Sequence, residues 1–268
     1  MKISLITPTY NSSQSIHKCI ESVISQSVLD FEHIIIDNQS SDNTIEKVKN
    51  IFSTNNLQSN VHIISEKDNG IAEAFNKGIT KCSGEIIGIL NSDDFYHNNR
   101  VFENVLSAFE DEYIQFVHGD ILFIDEVYGT NRRKPLRCNI RKAMPYNHPT
   151  MFLRKKVYDE VGVYNTSYKY AMDYDFICRM IKIYGNLDTI SLYLSKEPFV
   201  VMNSGGASWN YEKQTLYETR IAQIKNEIWN LKSRFYYLIR LLRINLKAVL
   251  SYLKLTSLIK LWRKLKWI

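Results

Sequence analysis

The sequence predicts an α/β protein with a mostly parallel central sheet flanked by helices, followed by amphipathic C-terminal helices. Three observations support this prediction. Short apolar segments alternate with helical patterns over the first 90 residues, polar clusters follow the apolar segments, and residues 228–268 carry ten basic side chains and no acidic one. Alternating strands and helices are typical of a parallel sheet with right-handed crossovers. A chain of 268 residues is long enough for one large domain with an appendage.

Four apolar segments of the first half are predicted to be strands, because they are rich in β-branched residues and are bounded by polar ones. They are Ile3–Thr7, Phe31–Asp37, Val61–Ser65 and Ile86–Leu90. Capping residues followed by helical spacing predict the helices between them. These helices begin at Ser13 or Ser15, at 40–42 and at Ile71, and end near Gln26, Phe52 and Lys81. Farther along, we expect a helix near 98–109, a strand at Met151–Leu153 and a helix from about 171 to Tyr184.

Each of these four strands leads into a polar cluster. The clusters are Thr7–Asn11, Asp37–Ser41, Glu66–Gly70 and Asn91–Asp94. Because the carboxyl ends of parallel strands meet at one edge, where such sheets bind ligands, the clusters predict a binding site there. The chain has neither the glycine motif of a dinucleotide site nor that of a P-loop. A diphosphate at this edge would therefore be held by a metal ion.

The fourth cluster contains two adjacent carboxylates, Asp93 and Asp94. Like charges side by side are unfavourable unless a cation lies between them. Carboxylate oxygens are hard ligands that suit Mg²⁺ or Mn²⁺, so the pair predicts a metal site. The alternative is that both acids only cap the helix expected near 98–109.

The charge distribution limits the partners of the chain. The total is +6 and residues 228–268 carry +10, so residues 1–227 carry −4. We therefore expect no nucleic-acid binding by this larger part. The four cysteines are widely spaced, which argues against a disulfide framework or zinc site and suits a reducing cytoplasm. The N-terminal residues resemble a first strand rather than a signal peptide.

Five segments, taken in order and with their spacing, resemble family 2 glycosyltransferases of the GT-A fold. They are ITPTYN at 6–11, IIIDNQSSDNT at 34–44, EKDNGIAEAFNKGI at 66–79, GEIIGILNSDDFY at 84–96 and MDYDFICRM at 172–180. The likeness covers about residues 1–205 and is strongest to bacterial enzymes that build exopolysaccharide, capsule or O-antigen repeats, including the colanic-acid type. It implies a nucleotide-diphosphate sugar donor with UDP as the first choice, Mn²⁺ or Mg²⁺, and inversion at the anomeric carbon. It also implies a lipid-linked saccharide acceptor.

The resemblance also implies roles for single residues. Positions expected to bind the nucleotide sugar are Pro8, Tyr10, Asp37, Asp68, Asn76, Asn91 and Asp93. Pro8 and Tyr10 fall where the family contacts the base, and Asp37 and Asp68 where it contacts base or ribose. Asp93 and Asp94 fall on the D-x-D-type motif, in which one carboxylate usually meets the ribose and the other the metal. Asn91 stands where the common form of this motif has an acid.

Asp173 is the candidate catalytic base. Transfer of a sugar to a hydroxyl needs a carboxylate that accepts the hydroxyl proton. The family often has Glu-Asp at this point, where Met172 replaces the Glu and leaves Asp173 as the matching acid. Asp175 is the competitor, two residues on and facing another direction on the helix. The alternative for both acids is that they merely favour a helix N-terminus.

Two further segments are candidates for the acceptor site or a lid. His148, just before a predicted strand, could touch the acceptor or the diphosphate, or it could be a solvent-facing turn residue. Gly205, Gly206 and Trp209 belong to a glycine-containing loop after the last core strand. Such a loop could close over the donor as a lid or act as a plain linker.

Residues 206–268 are predicted to form a helical, basic, membrane-associating region. Apolar residues from Phe235 to Leu253 recur at helical spacing, with Arg240, Arg243 and Lys247 to one side and behind. A register change at 255–257 predicts a second short helix. No apolar stretch is long enough to span a membrane. We expect an in-plane anchor on the anionic inner face of the cell membrane. The alternatives are packing of this face on the catalytic domain or pairing in a homodimer.

The leading functional hypothesis is therefore a metal-dependent glycosyltransferase of the hexosyltransferase type. The alternative from another class is a non-catalytic subunit that binds sugar nucleotides or serves as a scaffold in a polysaccharide assembly complex. Asn91 and Met172, which depart from the family pattern, keep this alternative open. A nucleotidyltransferase is a third option, but it usually has a glycine-rich basic loop after the first strand, which this chain lacks.

Overall fold

The computed structural model describes residues 1–125, 129–136, 138–203, 211–253 and 255. Its centre is a seven-stranded sheet in the order β10-β6-β9-β4-β1-β2-β3. These strands are β1 Ile3–Thr9, β2 Phe31–Asp37, β3 Val61–Ser65, β4 Ile86–Ile89, β6 Phe116–Gly119, β9 Phe152–Arg154 and β10 Ser191–Leu194. All neighbours pair in parallel except β9, which runs antiparallel between β4 and β6. The predicted mostly parallel α/β sheet is confirmed.

A second sheet of four strands has the order β5-β11-β7-β8. It consists of β5 Phe95–Tyr96, β7 Ile121–Asp125, β8 Gly129–Arg133 and β11 Val200–Asn203. The helices are α1 Ile16–Ile24, α2 Thr44–Thr54, α3 Ile71–Lys81, α4 Val101–Ala108, α5 Lys155–Val161, α6 Met172–Tyr184, α7 Glu212–Lys225 and α8 Leu231–Tyr252. Short 3-10 helices cover Gln58–Asn60, His148–Thr150 and Leu187–Thr189.

The inner strands β1, β2, β4 and β6 are buried on both faces, as expected for a parallel sheet covered by helices. Ile6 and Ile34 pack toward the face that carries α3 and α6, whereas Leu5 and Ile35 pack toward the face that carries α1, α2 and α4. Gly78 of α3 permits the close approach of helix to sheet, because a Cβ there would lie 2.4 Å from a side-chain carbon of Ile6.

Several predicted boundaries agree with the structure, and others differ. β2, β3 and α3 have the predicted limits. β1 continues through Thr9, because it keeps pairing with β2 after β4 has ended. β5 forms directly after Asp94, where no strand was predicted, because it pairs with the distant β11.

The two C-terminal helices pack in sequence on the body: α7 lies against α6, and α8 lies against α7. The apolar stripe of α8 faces away from the body, with Phe235, Leu238, Leu242 and Leu246 each 50 to 67% exposed. Packing of this face on the catalytic domain, one alternative for the tail, is therefore wrong. The second short helix and the predicted boundary at 205/206 lie outside the described residues. Within the described chain, no helix combines the length and apolar character needed to span a bilayer.

Candidate functional site

The four polar clusters predicted at the strand ends meet at one edge of the central sheet. Hydrogen bonds join neighbouring clusters. Ser12 Oγ lies 2.9 Å from Ser92 Oγ, the backbone N–H of Asn11 donates to Ser40 Oγ at 2.9 Å, and that of Asp68 donates to Asn38 Oδ1 at 2.8 Å. The strand order β4-β1-β2-β3 places the clusters side by side in the same order. This edge is the candidate site.

Asp94 is a buried carboxylate in this site. Its side chain is 3% exposed, and the only hydrogen bond that it receives from the described residues comes from Asn91 Nδ2 at 3.2 Å. Burial, followed by the charge of the exposed Asp93, raises the pKa of Asp94 to about 8 against the opposing effect of Asn91. Within the described chain, no lysine, arginine or histidine forms an ion pair with Asp93 or Asp94.

Glu32, near the amino end of β2, is a buried carboxylate that has hydrogen-bond donors, and it serves as a comparison for Asp94. It accepts hydrogen bonds from the hydroxyls of Ser4 and Ser83 and from the backbone N–H groups of Ser83 and Gly84. Burial alone would raise the pKa of Glu32, but these donors outweigh it and lower the pKa to about 2. Asp94 lacks such donors, so its ionised form needs a cation from outside the described chain.

The capping alternative for Asp93 and Asp94 is wrong. α4 begins at Val101, with Arg100 as its N-cap, and strand β5 lies between Asp94 and that helix. Neither carboxylate can therefore bond the first N–H groups of α4.

Two further oxygen atoms at this edge are buried and have no hydrogen-bond partner among the described residues. They are Asn91 Oδ1 and Thr9 Oγ1. A buried polar atom without a partner is costly, so such atoms point to a ligand that completes them. Asn91 thus donates its amide N–H to Asp94, while its buried oxygen has no partner among the described residues.

The donor set fits a hard cation held jointly with a substrate. No three His, Cys, Asp or Glu side chains of the described residues converge into a metal cage. Mg²⁺, however, is usually bound by one or two carboxylates with substrate phosphates and water completing its shell. Asp93, Asp94 and Asn91 Oδ1 offer oxygen ligands only, which is the chemistry that Mg²⁺ and Mn²⁺ prefer.

Asp37 and Asp68 shape the loops of the site. Asp37 is buried and accepts hydrogen bonds from Ser40 and Ser65, with Ser40 Oγ at 2.5 Å and Ser65 Oγ at 2.6 Å. Asp68 accepts from the backbone N–H of Gly70 at 2.9 Å, and burial raises its pKa. Both acids lie at the predicted edge, and their contacts with base or ribose stay a prediction.

The other residues expected to bind the nucleotide sugar differ in accessibility. Pro8 is buried within β1, whereas the ring of Tyr10 is 60% exposed beside the site. The amide of Asn76 is already engaged: its Nδ2 donates to Tyr164 O at 2.8 Å, and its Oδ1 accepts from Tyr164 N at 2.9 Å. Asn76 therefore joins α3 to the segment before α6, and its predicted ligand contact has no support in this geometry.

The structure distinguishes Asp173 from its competitor Asp175. Asp175 is buried and bound by Arg179 Nε at 2.9 Å and by Asn226 Nδ2 at 3.1 Å. Asp173 lies half-buried in the first turn of α6, where it accepts from the backbone N–H of Tyr174. Among the described residues it forms no ion pair. Asp173 is thus the acid of this turn that remains available to a substrate.

His148 lies near Asp173 and is not a solvent-facing turn residue. Its Nε2 is 2.9 Å from the Tyr164 hydroxyl, and its ring stacks on Phe75 with centroids 5.8 Å apart. Burial lowers the pKa of His148, and the negative charge of Asp173 acts in the opposite direction. The neutral ring is therefore favoured, held in place between α3 and the segment before α6.

The predicted lid residues Gly205, Gly206 and Trp209 lie outside the described residues. Asn203, at the end of β11, donates from Nδ2 to the backbone carbonyl of Asp93 at 3.3 Å. The end of β11 therefore contacts the candidate metal site.

Three polar side chains contact the start of α6 and were not predicted from the sequence: Glu218 and Gln223 of α7, and Asn226, its C-cap. α7 has polar residues on all sides, so its buried face shows no clear apolar pattern. The only available signal was the presence of polar residues at helical spacing, which exposed helices share.

Comparison with known proteins identifies the family of the chain. The family model described as glycosyl transferase family 2 matches residues 4–175, more than half of the chain. A PGL/p-HBAD biosynthesis glycosyltransferase of Mycobacterium bovis is 27% identical over 195 residues, which cover 71% of this chain and 73% of that protein. A chondroitin synthase of Escherichia coli is 29% identical over 196 residues, which cover 68% of this chain but only 26% of that protein.

Solved structures share the fold. S. aureus TarS 1–349 in complex with UDP-GlcNAc superposes with a TM-score of 0.66 at 17% identity, covering 90% of this chain and 72% of that chain. The mannosyltransferase PcManGT from Pyrobaculum calidifontis, in complex with GDP-Man and Mn²⁺, gives 0.65 at 14% identity, covering 98% and 82%. The chain therefore belongs to glycosyl transferase family 2 and is a glycosyltransferase of the GT-A fold.

Proposed function

We propose that the protein transfers a sugar, with inversion, from a nucleoside-diphosphate donor to a lipid-linked saccharide in the synthesis of a bacterial surface polysaccharide. The observation that carries this proposal is the buried Asp94, which forms no ion pair with any described residue, beside exposed Asp93 at the carboxyl ends of the strands. UDP is the first choice of nucleotide, and the TarS complex with UDP-GlcNAc supports it. The Mn²⁺ bound by PcManGT supports a divalent metal.

Asp93 and Asp94 would hold Mn²⁺ or Mg²⁺, with Asn91 Oδ1 as a further oxygen. The ion supplies Lewis-acid stabilisation of the negative charge on the leaving diphosphate. The exposed ring of Tyr10 would cover the base, and Asp68 would bind the ribose.

Asp173 is the proposed general base. The acceptor hydroxyl oxygen forms a bond to the anomeric carbon while the bond from that carbon to the diphosphate oxygen breaks, and the hydroxyl proton passes to Asp173. Inversion requires the attacking oxygen and the leaving oxygen to lie on opposite faces of the sugar. The half-buried side chain of Asp173 at the start of α6, free of an ion pair among the described residues, meets the chemical requirement for the base.

The exposed apolar stripe of α8 supports the proposal that the acceptor is linked to a lipid. α8 presents an exposed apolar stripe, and Lys232 and Arg234 at its start are also exposed. An exposed stripe of this length is unfavourable in water and favours contact with an anionic bilayer, which would place the enzyme on the inner face of the cell membrane.

The donor proposal is tested by thermal unfolding in the presence of UDP-, GDP- and dTDP-sugars, each with Mn²⁺ or with EDTA. We expect one nucleotide class to raise the Tm in Mn²⁺ only, because saturation at 100 times the Kd stabilises by about 2.7 kcal/mol. Asp94→Asn should abolish the metal-dependent rise. Asp159→Asn, an exposed acid of α5, serves as the matched control and should keep it.

Donor affinity that is equal in Mn²⁺ and EDTA, or unchanged in Asp94→Asn, would contradict the metal site. No stabilisation by any nucleotide sugar would contradict the donor class itself.

A further inference from the structure

Glu218, on α7, binds the backbone immediately before α6. Its Oε2 accepts hydrogen bonds from the N–H groups of Tyr170 at 2.7 Å and Ala171 at 2.9 Å, and its Oε1 accepts from that of Lys169 at 3.1 Å. Three consecutive backbone donors thus converge on one carboxylate. Asp173 follows only two residues after the last of them.

These contacts are strong for two physical reasons. Hydrogen bonds from N–H groups to an ionised carboxylate are roughly twice as strong as those between neutral partners. The carboxylate also lies at the amino end of α6, where the helix dipole favours negative charge. Glu218 therefore fixes both the path of residues 169–171 and the point at which α6 begins.

Two neighbours of Asp173 are bound by side chains from the end of α7 and its C-cap. Gln223 Nε2 donates to the Tyr174 hydroxyl at 2.6 Å, and Asn226 Nδ2 donates to Asp175 Oδ1 at 3.1 Å. Asp173 lies between these anchored side chains and the backbone held by Glu218. Side chains of α7 and its C-cap thus bind residues before and after the proposed base. Among the described residues, none of these side chains hydrogen-bonds to Asp173 itself.

We propose that Glu218 is a positioning residue for sugar transfer: it holds residues 169–171 so that Asp173 meets the acceptor hydroxyl. This proposal rests on the proposed role of Asp173 as the base. A misplacement of about 1 Å at a reacting group can lower the rate about 100-fold, so a remote carboxylate that fixes the first turn of α6 can matter for turnover. Through Glu218, α7 then contributes to the geometry of the proposed base.

The test compares Glu218→Ala, Glu218→Gln and the control Glu212→Ala in the full-length protein. Glu212 lies on the same helix, but its carboxylate pairs with Lys247 of α8. Release of nucleoside diphosphate from the best nucleotide sugar in Mn²⁺ gives kcat, thermal shift gives the donor Kd, and hydrogen exchange gives the protection of amides 169–171.

We expect Glu218→Ala to lower kcat 10- to 100-fold, with a donor Kd within twofold of wild type and faster exchange at amides 169–171. Glu218→Gln should fall between, because one amide oxygen still accepts from part of this backbone. Glu212→Ala should match wild type in all three measurements. If Glu218→Ala does not fold, Glu218→Gln tests the proposal in its place: its kcat should be lowered while its donor Kd stays within twofold of wild type.

A kcat within twofold of wild type in Glu218→Ala and Glu218→Gln would overturn the proposal, as would a parallel loss of turnover and donor affinity in the folded variants. The proposed function fails differently, because wild-type protein would then release no nucleoside diphosphate from any donor.

Discussion

Asp173 is expected to control turnover without controlling donor binding. Asp173→Asn keeps the shape of the side chain but removes the group that accepts the proton, so we expect kcat to fall by roughly 10²–10⁴. The donor Kd in Mn²⁺ should remain close to that of wild type. Nucleoside-diphosphate release and thermal shift measure the two quantities. Near-normal turnover would rule Asp173 out as the base.

Asp175→Asn is the matched contrast at the next acid of the same turn. Asp175 is bound by Arg179 and Asn226, and Arg179 in turn donates to the backbone carbonyls of Val161 and Val163. The substitution removes a charge from these partners and is expected to lower the free energy of unfolding by about 2 kcal/mol. Asp173→Asn, which breaks no ion pair among the described residues, should leave the free energy of unfolding nearly unchanged.

At the scale of the element, strand β2 carries a buried neutral histidine that makes the fold sensitive to acid. His33 Nε2 lies 2.8 Å from Thr7 Oγ1 on β1, and burial lowers the pKa of His33 to about 3. In the unfolded chain a histidine titrates near its ordinary value of 6.5. Between these two values the unfolded state binds a proton that the folded state does not. The contribution of His33 is therefore fully present above pH 6.5 and is lost as the pH falls toward 3.

We expect the free energy of unfolding to fall by about 2 kcal/mol between pH 6.5 and pH 5 through this residue, since each pH unit corresponds to about 1.4 kcal/mol. His33→Gln should lose correspondingly less over this interval. His62→Gln, which alters an exposed histidine on the neighbouring strand β3, is the control. Urea unfolding at the two pH values measures the difference. Equal pH dependence of wild type and His33→Gln would contradict the prediction.

Helices and strands were predictable where the pattern of apolar residues within one short segment indicates the secondary structure. β2, β3 and α3 have predicted limits, because β-branched runs and helical periodicity depend on neighbours in sequence. β5 has only two residues, and it exists because β11, more than a hundred residues later, pairs with it. The antiparallel insertion of β9 between β4 and β6 likewise depends on partners that no local pattern names.

At the scale of the whole molecule, α8 exposes its apolar face, whereas an ordinary surface helix buries it. Its apolar stripe is exposed, while Lys247 on another face pairs with Glu212 of α7. Each large apolar side chain contributes about 1.5–3 kcal/mol when it leaves water. We therefore expect the triple variant Phe235→Glu, Leu242→Glu, Leu246→Glu to lose at least tenfold in affinity for vesicles containing anionic phospholipid, measured by co-sedimentation.

Ile183→Glu with Leu192→Glu is the control, because it places charge at exposed apolar residues outside α8. This double variant should bind vesicles as wild type does. Unchanged vesicle binding by the triple variant would contradict the membrane surface. A fall in the mass of the protein in solution without a change in vesicle binding would instead assign the stripe to a homodimer.

The sequence by itself determined the α/β class, the family and the set of polar residues at the strand ends, because each of these depends on local pattern and on order along the chain. It left open whether Asp93 and Asp94 cap the helix near 98–109, and which acid in the first turn of α6 is engaged by protein partners. Those choices depend on burial and on partners distant in sequence: Arg179 and Asn226 engage Asp175, and β5 separates Asp94 from α4. The exposure of the apolar face of α8 also depends on tertiary contacts, because they determine which face of a helix is covered. The hydrogen bonds from the backbone before α6 to Glu218 likewise form only in the folded chain.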